Sequence, residues 1–191
     1  MRFLVLFLLA LLIGVGAGLG SALLAVEKGA IYGSVTIGRW VTWPTAGTRK
    51  PDPYTRAMLA RSRHIPLGAG EGLAFTTRLD SDGEPLSGDC DYVLSGTLPS
   101  ARLWTLTVTD TEGRFAASPS GRLAIHSREI LISGKDGFSV RLSANAAPGN
   151  WLPVPAGRML VLTMRLYDTP IGSGLDIRDV RMPGIRRERC R

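Results

Sequence analysis

The chain is poor in the side chains that most often carry enzymatic chemistry. Its 191 residues hold two histidines, His64 and His126, and two cysteines, Cys90 and Cys190. So few, so far apart, do not make a zinc site, which needs three or four ligands at close spacing. No G-x-S-x-G run occurs, which excludes the nucleophile elbow of the α/β-hydrolases. His126-Ser127 offers a base beside a hydroxyl, but neighbours on a strand point to opposite faces. Aromatics are 7% of residues, with no aromatic-basic platform and no basic recognition helix. Nucleic acid is therefore not an expected partner, although the pI is near 10.1. Nothing in the composition asks for a cofactor.

Charge is missing altogether from Phe3 to Val26, "FLVLFLLALLIGVGAGLGSALLAV". These 24 residues exceed the roughly 20 that a spanning helix needs. Arg2 precedes them, as in a signal or anchor segment. Two readings stand. The segment is an uncleaved anchor, or it is cleaved after small residues such as Gly20-Ser21-Ala22. The anchor is preferred because Leu23–Val26 continue the apolar run past that site. Gly14-x-x-x-Gly18 and Gly16-x-x-x-Gly20 put small residues on one helix face. The expected location is the bacterial inner membrane, single-pass, with residues 27–191 in the periplasm. More basic groups follow the span than precede it, but the positive-inside rule weakens for long translocated domains.

The net charge of +7 is uneven. Residues 27–63 carry +5, residues 64–177 carry −3 and residues 178–191 carry +4. A mildly acidic body thus lies between two basic flanks, which suit anionic lipid headgroups. In an exported domain, Cys90 and Cys190 are expected to form one disulfide. It closes a loop of about 100 residues, worth roughly 4–5 kcal/mol on the chain-entropy model. The alternative is two unrelated free thiols.

What remains reads mainly as strands. Residues 3–26 form the anchor, 27–69 a linker with a short helix, and 70–191 a β-domain. The helix is expected over Pro53–Arg63, with Asp52 as N-cap and Pro53 at its first position. Trp40 and Trp43, just before it, suit either headgroup level or the domain. From Glu71 onward, eight or nine segments are separated by turn signals such as Asp82-Gly83, Glu112-Gly113 and Asp136-Gly137. The last of these segments is "LDIRDVRM". The spacing predicts an antiparallel β-sandwich or jelly-roll rather than βαβ units. Arg158–Asp168 is placed centrally because Leu160, Leu162, Met164 and Leu166 make one continuous apolar face.

"LDSDGEPLSGDCDYVLSG", "LWTLTVTDTEGRF", "DGFSVRL" and "GNWLPVPAGRMLVLTMRLYDTP" occur in that order. With these segments the chain resembles short, N-terminally anchored members of the DUF1214 family, a bacterial domain of unknown function. The resemblance runs from about Gly70 to Pro170. It is carried by Asp82, Gly83, Tyr92, Trp104, Asp136, Gly137, Asn150, Pro153 and the Arg165–Tyr167 run, and implies a β-sandwich or jelly-roll with no established activity. Longer relatives place a DUF1254 domain before it; here a membrane segment stands instead, so functions proposed for two-domain proteins do not carry over.

Candidate contact residues are Trp151, Asn150, Arg165 and His126. Trp151 lies in "APGNWLPVPAG", which is either a contact loop or a rigid corner stiffened by Pro153 and Pro155. Trp104 and Tyr167 are expected in the core. Arg165, in a mostly apolar strand, needs an acidic partner or exposure. Asp80, Asp82, Glu84, Asp89 and Asp91 could suggest calcium, but "DSDGE" is only a fragment of a calcium loop and Asx-turn chemistry accounts for Asp82. The expected function is a non-catalytic envelope module that binds a partner protein or a glycan. The rival is a small envelope hydrolase or glycan-active enzyme using His64, His126 and those acids.

Overall fold

The computed structural model describes residues 2–27, 33–62, 65–97, 100–116, 121–133, 137–170 and 176–191. His64, Asp136 and the turns at Leu98-Pro99 and Ile171-Gly172 lie outside the described residues. The protein is mainly β. Helix α1 spans Arg2–Glu27, and a second helix, α2, spans Pro53–Ser62. Arg2–Ala25 contains an 18-residue window of mean hydropathy 2.6 and is long and apolar enough to cross a membrane. Asp52 caps α2 through Oδ1, which accepts from the Thr55 N–H at 3.0 Å.

Eleven strands among the described residues form two sheets. They are β1 (Val35–Ile37), β2 (Trp40–Thr42), β3 (Gly72–Thr77), β4 (Cys90–Thr97), β5 (Leu103–Asp110) and β6 (Ala124–His126). Next come β7 (Ile132–Ser133), β8 (Gly137–Ser143), β9 (Trp151–Pro153), β10 (Leu160–Tyr167) and β11 (Gly184–Cys190). The first sheet runs β1-β2-β3-β10-β5-β6. The second runs β11-β4-β8-β7, with β9 also paired to β8.

Strand β10 is central, between β3 and β5, as its pattern predicts. Leu160, Leu162, Met164 and Leu166 are each at most 1% exposed. Trp104, Leu106 and Val108 of β5 alternate inward beside them. From the second sheet come Tyr92, Leu94, Phe138, Val140 and Leu142. The Trp104 and Phe138 rings meet at 5.1 Å between centroids, joining the two faces of a sandwich. Each fully buried aliphatic of this set contributes about 1.5–3 kcal/mol by leaving water.

The antiparallel sandwich itself is as expected, with one short parallel pairing added, β9 on β8. Several expectations are corrected. "LDIRDVRM" holds a 3-10 turn, Ile177–Asp179, instead of a strand. The last strand is the basic "GIRRERC", which pairs with β4 from Gly184↔Ser95 to Cys190↔Cys90. Strands β1 and β2, expected within a linker, extend the first sheet through Val41↔Thr76 and Thr42↔Phe75. Trp40 is a core residue, 2% exposed, and its Nε1 donates to the Pro183 carbonyl at 2.8 Å. Tyr167 is not in the core. It sits at an odd position of β10 and is half-buried on the outward face. The Cys90 and Cys190 sulfurs are bonded, so the end of the chain is tied to β4.

Candidate functional site

Two five-residue turns share one construction. Asp80-Ser81-Asp82-Gly83-Glu84 and Asp110-Thr111-Glu112-Gly113-Arg114 both read D-x-[DE]-G-[ER]. In the first, Asp80 Oδ1 accepts the N–H of Asp82 at 3.1 Å and of Glu84 at 2.9 Å. In the second, Asp110 Oδ1 accepts the N–H of Glu112 and of Arg114, both at 2.9 Å. The Asx turn thus belongs to the first Asp of each segment, not to Asp82. Gly83 and Gly113 take φ of 94° and 81°, a region that disfavours any side chain. Both Asp side chains are buried, so the second oxygen of each needs a cation.

The cation comes from different places. Glu84 cannot pair with Asp80, and Arg187 of β11 reaches Asp80 Oδ2 at 2.9 Å. The same guanidinium lies 5.8 Å from the centre of the Tyr92 ring. Arg114 pairs with Asp110 Oδ2 locally, through Nε at 2.8 Å. Burial pushes the Asp110 carboxyl upward in pKa. The Arg114 N–H and guanidinium and the Glu112 N–H outweigh that and hold it below the ordinary range.

A second arginine, Arg158, also meets Asp110 Oδ2, at 3.3 Å, with about half its side chain exposed. These three residues edge a cleft of about 420 Å³ at one end of the sandwich. Its apolar wall is Phe115, Ala116, Ala144, Val154, Pro155 and Ala156. Phe115 is 45% exposed.

"APGNWLPVPAG" forms one side of this cleft, and mostly as a corner. Asn150 donates to the carbonyls of Leu131 and Ser139 and accepts from the Leu131 N–H. Trp151 is half-buried and its Nε1 donates to the Ser143 carbonyl at 3.0 Å. Leu152 and Val154 are buried. Pro155 packs so closely on Gly88 that a Cβ there would overlap its carbonyl. The Gly88 N–H donates to the Arg158 carbonyl at 2.7 Å, which fixes where β10 begins.

The other contact candidates separate into a second group. Arg165 and His126 share one row across the outward face of the first sheet, Ala74↔Arg165↔Thr105↔His126. Trp151 is on β9 of the second sheet, with Asn150 just before it, so the four do not converge. His126 Nδ1 accepts from the Arg128 N–H, and its Nε2 is 3.9 Å from Glu129. Asp91 is buried and paired with Arg189 at 2.8 Å and Arg191 at 3.2 Å. Burial raises its pKa, but the Ser143 hydroxyl and these two arginines overcome that and lower it. Among the described residues, no three His, Cys, Asp or Glu side chains are grouped to hold a metal. Sequence reasoning missed Asp110, Arg114 and Arg158. The repeated D-x-[DE]-G-[ER] pattern was a signal for Asp110 and Arg114, but not for the distant Arg158.

The cleft and both turns fall in the segment matched by a family model described as "Protein of unknown function (DUF1214)", residues 71–171. The chain belongs to the DUF1214 family. The crystal structure of the VPA0106 protein from Vibrio parahaemolyticus is similar, with a TM-score of 0.62 at 23% identity. The match covers 93% of this chain and 44% of that one. A crystal structure of an uncharacterized protein from Burkholderia cenocepacia matches with a TM-score of 0.43 at 16% identity, over 94% of this chain and 51% of that one. This chain thus spans about half the length of either, or less. The likeness to the Vibrio protein is one of fold. No curated protein matches the chain.

Proposed function

We propose that this DUF1214 protein is a single-pass inner-membrane protein whose β-domain lies in the periplasm. There it acts as a non-catalytic module that binds an envelope partner or a glycan. The observation that carries this reading is α1, an apolar helix with none of its 24-residue span buried, followed by a domain closed by a disulfide. Disulfides persist in oxidising compartments such as the periplasm. Of the acids a hydrolase would draw on, Asp80 and Asp91 are already paired with arginine.

Basic groups near the span support lipid contact. Helix α2 packs against α1. Gly20 and Ala25 are the only half-buried residues among the described side chains of α1, so the contact falls at its last turns. A helix of about 20 residues fills the hydrocarbon layer, which puts those turns at headgroup level. Arg49, Lys50 and Arg56 are exposed at the start of α2. Such residues gain about 1 kcal/mol each beside an anionic surface.

A phosphatase fused to the C-terminus tests the topology. The fusion is expected to be active in cells. An expressed but silent fusion would put the domain on the cytoplasmic side and overturn the proposal.

A further inference from the structure

We infer that the cleft beside Asp110 is a binding site for a small organic carboxylate with an apolar body, held by Arg158. The inference deepens the binding-module reading and rests on it for biological meaning, while its chemistry stands on the cleft alone.

Asp110 needs no further cation. Oδ1 holds two backbone N–H groups and Oδ2 holds Arg114 Nε at 2.8 Å. Arg158 adds a longer contact of 3.3 Å to an oxygen that is already paired. One nitrogen, NH1, makes that contact. A guanidinium presents five N–H donors in a planar fork suited to two-point recognition of a carboxylate. The surplus donors of Arg158 sit at the lip of the cleft, with about half the side chain open to water.

Two arginines, Arg114 and Arg158, meet two carboxylates, Asp110 and Glu112, at the cleft edge, and the rest of the lining is apolar. Arg114 is occupied on both sides, by Asp110 and by Glu112 at 2.8 Å. Arg158, held by one contact of 3.3 Å, is therefore the arginine with donors to spare. Phe115 and Val154 offer an apolar wall beside it, and a volume of about 420 Å³ suits a small ligand. The occupant that satisfies both halves carries an anionic head and a compact apolar body. Ordinary carboxylates are ionised at neutral pH and match the fork in width.

The matching turn supports the assignment by contrast. At Asp80 the remote arginine, Arg187, is the main cation for the carboxylate and is less exposed, at 32%. At Asp110 the remote arginine is surplus, because the fifth residue of the turn is itself an arginine.

Full-length protein in detergent micelles, titrated with 4-fluorobenzoate and followed by fluorine NMR line width, tests the inference. Saturable broadening is expected with 4-fluorobenzoate and not with neutral 4-fluorobenzamide. Acetate, which lacks the apolar body, should compete poorly. Arg158→Gln should weaken binding roughly tenfold, the loss expected for one charge-assisted bond. Arg186→Gln, on exposed β11, should leave it unchanged. Equal broadening by the amide, equal competition by acetate, or undiminished binding in Arg158→Gln would each overturn the site. A silent phosphatase fusion with intact fluorobenzoate binding would overturn the placement and leave the cleft standing.

Discussion

The Asp80 and Asp110 turns begin from the same backbone device and end in different roles. Each uses a buried Asp to gather two N–H groups around a left-handed glycine. The difference lies in the fifth residue. Glu84 leaves Asp80 without a cation, so the turn takes Arg187 from β11, far along the chain. The Ser81 N–H also donates to the Ile185 carbonyl at 2.8 Å, so this turn fastens the last strand. Arg114 satisfies Asp110 within the turn, and the remote Arg158 is left at a cleft. One residue therefore decides whether the second carboxylate oxygen serves as a tertiary clamp or as the base of a binding edge.

The largest test removes the covalent part of the clamp. Cys90→Ser with Cys190→Ser should lower stability by about 4 kcal/mol, because an unfolded loop of about 100 residues is no longer closed. Denaturant unfolding, followed by the fluorescence of buried Trp40 and Trp104, measures it. Thiol labelling of denatured, non-reduced wild type should find no free cysteine. Two labelled thiols would contradict the bond.

Next, Asp80→Ala should cost about 3 kcal/mol, since it strands two N–H groups and leaves a partly buried guanidinium unpaired. Asp110→Ala should cost less, because both of its arginines can turn to water. Equal losses would erase the distinction between the turns.

Acid should act on the Asp110 turn and on Asp91 of β4, which is paired with Arg189. Asp91 and Asp110 have lowered pKa values in the folded protein. Their contribution is complete above the unfolded value of about 3.9 and is lost as pH falls through the folded value. Stability from these groups should thus hold from neutral pH to about pH 5 and decline below about pH 4. Asp91→Asn should flatten that decline, and an unchanged acid limb would remove Asp91 from the account.

A smaller effect sharpens the role of the fifth residue. Glu84→Arg gives the first turn the sequence logic of the second. In that background Arg187→Gln should cost less than in wild type, with a coupling of about 1 kcal/mol in a double-mutant cycle. Additive effects would show that the fifth residue does not choose the partner.

How much of this was legible depends on the range of the interactions. Strands β5 and β10 could be read because Trp104, Leu106 and Val108, and Leu160 to Leu166, alternate at the strand period. Strand β11 could not. "GIRRERC" has one inward apolar residue, Ile185, and its charges are those of a guarded sheet edge. Asp82-Gly83 and Glu112-Gly113 were visible as turns, but their remote arginines lie 107 and 48 positions away from Asp80 and Asp110, in another strand or loop. Tyr167 was misassigned because aromaticity was weighed above its odd position in β10. The basic C-terminus read as a flank for lipid, whereas Arg187, Arg189 and Arg191 are engaged with buried acids.

The most direct measurement compares Arg187→Gln with Arg158→Gln in one preparation, recording both unfolding and 4-fluorobenzoate broadening. The account predicts opposite outcomes. Arg187→Gln should lower stability and leave broadening intact. Arg158→Gln should change stability by no more than about 0.5 kcal/mol and lose most of the broadening. If both variants lose stability alike, or both keep the broadening, the two turns do not have the separate roles assigned to them.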